Sequence, residues 1–121
     1  MKLSLDEMKR IVIGTLVANG VKLEEAENME GYIMDEYFDG SDIYVKFEGY
    51  TITKEAGYGG FEGAGDNVWF VFKVTKDSET QYFRKSGYYD SWNGTEWDYG
   101  IELVKPKEVM VIEWEPYIEG K

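Results

Sequence analysis

The chain contains neither cysteine nor histidine. Without cysteine there is no disulfide, no thiolate nucleophile and no zinc–thiolate centre. That composition suits a reducing compartment, and a cytoplasmic location is expected. Without histidine the commonest general base and the commonest transition-metal ligand are missing. No catalytic residue, metal site or cofactor is therefore expected. Long apolar runs are absent as well: none approaches the ~20 residues that span a bilayer, so no membrane association is expected. Ile11–Ala18 follows Lys9 and Arg10 in the manner of a leader peptide, but the stretch is short and Asp6 and Glu7 precede it, which fits a helix better.

Bases are scarce. Thirteen Lys and Arg face 24 Asp and Glu, a formal charge of −11. The scarcity is sharpest between Leu23 and Val45, where no base interrupts Glu24, Glu25, Glu27, Glu30, Asp35, Glu36, Asp39 and Asp42. Such a surface repels phosphate and attracts cations. Direct binding to nucleic acid is not expected; a protein partner with a basic surface is. The same run also reads as a solvated face that keeps the protein soluble.

What is present in quantity is aromatic. Aromatics make up 17% of the residues and all hydrophobics 43%, which excludes disorder. A chain of 121 residues forms one domain, 1–121, able to bury roughly two-thirds of its unfolded surface. Ser4 followed by Glu7 is a capping box, and Met8, Ile11, Val12, Thr15 and Leu16 follow at helical spacing. Asn19-Gly20 is a stop, so a helix is predicted over Leu5–Ala18 with Lys9 and Arg10 exposed. A second helix is predicted over Leu23–Tyr37, with Leu23, Ala26, Met29, Ile33 and Tyr37 on one face and Gly31 as a weak point. From Asp42 the period changes to two. Ile43, Val45 and Phe47 begin a strand that bends at Gly49 and extends to Ile52. Gly57–Gly65 is a loop, Val68–Val74 a central strand, Lys76–Glu79 a turn and Thr80–Lys85 its hairpin partner. Tyr88–Gly100 is a tip built around Asn93-Gly94, a strong hairpin-turn signal. Ile101–Val104 is a short strand, Lys105-Pro106-Lys107 interrupts, and Val109–Trp114 is a last strand ended by Pro116. The expected fold class is α+β: two N-terminal helices packed on one face of a four- to five-stranded antiparallel sheet.

The motifs that invite chemistry are incomplete. The Gly-rich loop lacks the Lys-Ser/Thr of a phosphate-binding loop and is followed by a strand, not a helix. Asp39-Gly-Ser-Asp42 lacks the framework of a calcium loop. Glu96 and Asp98 flank Trp97 as a glycosidase acid pair would, but sequence spacing does not supply their separation, and a polar hairpin face explains them equally. Tyr88, Tyr89, Trp92, Trp97 and Tyr99 form an aromatic cluster suited to sheet packing, to a protein interface or to stacking on a sugar.

The segments Tyr82-Phe-Arg-Lys, Gly87-Tyr-Tyr-Asp-Ser-Trp-Asn-Gly-Thr-Glu-Trp-Asp and Val111-Ile-Glu-Trp-Glu-Pro resemble small accessory proteins of bacteriophages and prophages. The resemblance covers about a third of the chain, and the helical part, Leu3–Phe38, does not contribute to it. That group has no single function; the resemblance implies that some such proteins bind and block a host factor. The expected function is a non-enzymatic acidic binding protein that inhibits or modulates a host protein in the host cytoplasm. Its expected partner-binding residues are Glu24, Glu27, Glu30, Asp35, Glu36, Asp39, Tyr88, Trp92 and Trp97. A small ligand- or carbohydrate-binding module using the Trp/Tyr-rich hairpin tip is the other reading. Mobility-shift assays with DNA and RNA at physiological salt should show no micromolar complex; one that formed would overturn the reading of the charge.

Overall fold

The computed structural model describes residues 2–29, 31–39, 45–59, 65, 67–92, 94–97 and 100–119. Helix α1 spans Leu5–Ala18 and is capped as its sequence predicts. The Glu7 amide donates to Ser4 Oγ at 3.1 Å, satisfying one of the orphan donors of the first turn. At the other end the Val21 amide donates to the Leu16 carbonyl and the Gly20 amide to that of Val17, both at 3.0 Å. This is a Schellman closure, and Gly20 takes the left-handed conformation (φ 100°) that it requires. Met8, Ile11, Val12, Thr15 and Leu16 are buried, while Lys9 and Arg10 are exposed.

The single helix predicted over Leu23–Tyr37 is two helices, α2 (Leu23–Asn28) and α3 (Gly31–Phe38). The break falls at Met29, which is left-handed at φ 48°, ψ 43°. That conformation costs a non-glycine residue roughly 1–2 kcal/mol. Burial of the Met29 side chain, 5% exposed, offsets the cost. Asn28 and Gly31 on either side are poor helix formers, so little helical propensity opposes the turn. With the break in place Ala26, Met29, Ile33, Met34 and Phe38 all reach the core. Leu23 does not, and lies largely exposed.

Five strands follow among the described residues: β1 (Thr51–Tyr58), β2 (Asn67–Lys76), β3 (Glu79–Asp90), β4 (Gly94–Glu96) and β5 (Ile101–Val104). Every pairing is antiparallel. β2 lies between β1 and β3, so Val68–Val74 is interior as predicted. β4 and β5 share the far side of β3, β4 along residues 88–90 and β5 along residues 82–85. The fold is α+β, with three short N-terminal helices among the described residues and an open antiparallel sheet.

The strand expected from Ile43 begins instead at Thr51. Ile43 and Tyr44 lie outside the described residues. Phe47 bridges only to Tyr50, across a tight turn whose central residues Glu48 (φ 51°) and Gly49 (φ 82°) are both left-handed. Val45 is held by a side chain, not by a strand. Its amide donates to Asn19 Oδ1 at 2.9 Å and its carbonyl accepts from Asn19 Nδ2 at 2.8 Å. Phe47 then packs over Gly14 of α1, where a Cβ would come within 2.5 Å of its ring. In the expected Gly-rich loop, Gly57 and Tyr58 complete β1, while residues 60–64 and 66 lie outside the described set.

Val68, Phe70, Phe72 and Val74 alternate along β2 toward the helices, opposite Gly87, Lys85, Phe83 and Gln81 of β3. Phe72, fully buried, is the hub: its ring lies 6.0 Å from Phe38 of α3, 6.1 Å from Phe70 and 5.7 Å from Phe83.

The predicted last strand, Val109–Trp114, is not formed. Residues 105–118 have no regular structure, and Val109, Met110, Val111, Ile112 and Trp114 are 75–98% exposed. Pro106 lacks an amide and cannot donate to a ladder continued from β5.

Two stability changes follow. Phe72→Ala should lower the unfolding free energy by about 3–5 kcal/mol in a denaturant titration. Ser78→Gly should raise it by about 0.5–1 kcal/mol, because Asp77 (φ 50°) and Ser78 (φ 72°) form a primed hairpin turn in which glycine is the unstrained second residue.

Candidate functional site

Helix α2 opens after Lys22, which makes no side-chain cap, and places Glu24 and Glu25 in its first turn, where the helix dipole favours anions. Glu24, Glu25 and Glu27 are all exposed. Among the described residues none of the three has a cation at ion-pair distance. Other acids differ: Asp35 Oδ1 lies 2.6 Å from Lys54 Nζ, Glu55 3.0 Å from Lys73 Nζ, Glu48 pairs with Arg10 and Glu102 with Arg84.

The break at Met29 divides the predicted acidic face. Glu24 and Glu27 stand on α2; Asp35, Glu36 and Asp39 stand on or just beyond α3; Glu30 lies outside the described residues. Glu36 and Asp39 are exposed, whereas Asp35 is half-buried and already matched by Lys54. Lys54 was not singled out from the sequence. It follows Ile52 at the period of two, pairs with Phe72 across the ladder and so shares the helix-facing side of the sheet. The pair is partly buried and ties α3 to β1.

The aromatic tip also divides. β3 continues through Asp90, so Tyr88 is a strand residue, opposite Asn67 on one side and Glu96 on the other. It points away from the helices, out of phase with the buried Phe83, Lys85 and Gly87. Trp92 sits on the β3–β4 turn, 92% exposed, its amide donating to Asp90 Oδ1 at 2.7 Å. Trp97 turns inward. Its ring meets Phe70 edge-on at 5.3 Å and 76°, and Gly87 makes room: a Cβ there would lie 3.1 Å from the Trp97 ring and would strike the Glu96 carbonyl. The three aromatics do not form one stacking platform. Glu96 is exposed; Asp98, its expected partner, lies outside the described residues.

Trp97 is nonetheless where the acidic helices and the hairpin meet. On one side it lines a cleft of about 620 Å³ with Asp35, Lys54, Tyr58, Trp69 and Phe70. On the other it lines a cleft of about 420 Å³ with Lys9, Glu27, Met29, Lys85 and Ile101. Both clefts combine an aromatic wall with charges of either sign, an arrangement that takes up an apolar side chain flanked by a charge. No signal in the sequence links Glu27, Asp35 and Trp97, because their meeting depends on the turn at Met29. Among the described residues no group of three or more acidic side chains is placed to hold a metal ion.

Trp97→Ala should destabilise the protein by about 2 kcal/mol in thermal or denaturant unfolding, since it removes a half-buried ring from the edge of the core. Trp92→Ala should stay within about 0.5 kcal/mol of the parent. Equal effects would contradict the division of the tip.

No protein-family model, no curated protein and no solved structure matches this chain.

Proposed function

We propose that this chain is a non-enzymatic acidic binding protein of the phage accessory type, which engages a basic surface on a host protein in the host cytoplasm. Its partner class is a nucleic-acid-binding defence or regulatory factor, whose cationic groove is the natural counterpart of carboxylates. The observation that carries this reading is α2. It exposes Glu24, Glu25 and Glu27 on one short helix with no cation at ion-pair distance among the described residues, whereas Asp35, Glu48, Glu55 and Glu102 each stand beside a base. Carboxylates left open in this way steer a cationic partner and add complementarity on contact. Glu27 also borders the smaller Trp97 cleft, so charge and an apolar recess adjoin.

The ligand-binding reading keeps one support, the larger cleft with its Asp35–Lys54 pair and Trp97 wall. It loses the paired Trp92 and Trp97 platform, because the two rings occupy different environments.

The test is a pull-down from a bacterial host lysate, followed by affinity measurement against the purified partner. Changing Glu24, Glu25 and Glu27 together to Lys should weaken the complex at least tenfold and leave the melting temperature within a few degrees, since exposed charges contribute little to folding. Affinity of the parent should fall as salt rises. Binding of the triple variant as tight as that of the parent at low salt would reduce α2 to a solvated face and end the proposal.

A further inference from the structure

Beyond β5 the chain is an arm. Residues 105–119 are exposed throughout, and Val109, Met110, Val111, Ile112, Trp114, Tyr117 and Ile118 show 62–98% of their surface to solvent. Seven such side chains present roughly 1,000 Å² of apolar surface in one segment, beyond the few hundred Å² that a soluble monomer ordinarily leaves in one patch. Val109-Met-Val-Ile112 is apolar at consecutive positions and rich in β-formers, the pattern of a strand covered on both faces.

The same chain carries the edge that such a strand needs. β5 is paired only to β3 among the described residues, which leaves the other side of Ile101–Val104 open, with Leu103 58% exposed. The opposite edge of the sheet is different. β1 is bulged between Lys54 and Ala56 and charged at Lys54 and Glu55, the devices by which natural edges resist pairing. β5 has no bulge in its ladder, and its one charge, Glu102, is paired with Arg84 of β3. The arm forms no ladder with its own β5, and Pro106 biases Lys105 to extended backbone. From Lys105 the arm reaches about 45 Å when extended, enough to cross to a neighbouring domain.

We infer that the occupant of the β5 edge is the arm of a second copy of this chain: residues 109–114 add as a strand beside Ile101–Val104 of the partner, and the exchange is reciprocal about a two-fold axis. The five apolar side chains of residues 109–114 present roughly 1,300 Å² in two arms, and their docking sites add a comparable area, within the range of stable homodimers. Each copy carries −11, so the dimer forms against long-range repulsion. Raising salt therefore tightens it, the opposite of the salt response of the complex with a basic host protein, and the two associations are separable by that sign.

The test uses the full chain. Sedimentation velocity at about 100 µM should give twice the 14.0 kDa chain mass, with a dissociation constant that falls as salt rises. Val111→Asp with Ile112→Asp in the arm, and separately Leu103→Lys on the acceptor edge, should each raise that constant at least tenfold; all three positions are exposed, so folding is preserved. The cysteine-free chain permits a direct check. A Leu103→Cys chain mixed with chains carrying one Cys at 109, 110, 111 or 112, and then oxidised, should yield the mixed disulfide dimer for one or two of the four positions. A monomer at 100 µM, a dimer indifferent to the arm substitutions, or a Leu103→Cys/Val111→Cys chain that closes on itself as a monomer would each overturn the exchange.

Discussion

The structure depends on one packing interaction, the enclosure of Phe72 between Phe38 of α3 and the flanking rings Phe70 and Phe83 of the sheet. A central strand can bury an aromatic ring only if something covers its face, and the cover here is two short helices instead of one long one. The cost of a left-handed Met29 is met by what the turn allows: Met29, Ile33, Met34 and Phe38 converge on the same core. At the sheet edge Trp97, set edge-on against Phe70, extends that aromatic cluster to the surface. Core and candidate site are thus two ends of one set of contacts.

Charge is distributed unevenly over this frame. Lys54, Lys73, Arg10 and Arg84 each stand beside an acid on a neighbouring element. Individually such exposed pairs are weak. Collectively they use four of the chain's 13 bases on the sheet and on α1, and among the described residues Glu24, Glu25 and Glu27 of α2 have no base at ion-pair distance. The polarity of the molecule therefore comes from where its bases are, more than from where its acids are.

Much of the fold was legible in the sequence because it is local. The capping box and Asn19-Gly20 set the limits of α1, and the apolar run Val68–Val74 followed by the turn at Lys76–Glu79 identified the central hairpin. The misreadings have a common form. Leu23–Tyr37 has a helical period throughout, and nothing in that period reveals that a single left-handed residue would bury more. The alternation at Ile43–Phe47 and the apolar run at Val109–Trp114 are both strand-like, but a strand exists only where a partner ladder does. For Phe47 a tight turn intervenes; for Val109–Trp114 no partner lies in the described chain. The site was legible only in part: exposure of Glu24 and Glu27 follows from the helical face, whereas Lys54 became visible through its register against Phe72.

By itself the sequence determined composition-level properties and short-range structure: a strongly acidic chain without cysteine or histidine, a capped first helix, a central apolar hairpin. These rest on net charge, on backbone propensity and on contacts a few residues apart. Only the tertiary structure decided which acids remain without a base, that Trp97 faces the core while Trp92 faces solvent, and that the C-terminal apolar run leaves the domain. Each of those is a statement about neighbours distant in sequence. Burial and pairing are properties of the surroundings of a residue, and one chain read in order does not contain them.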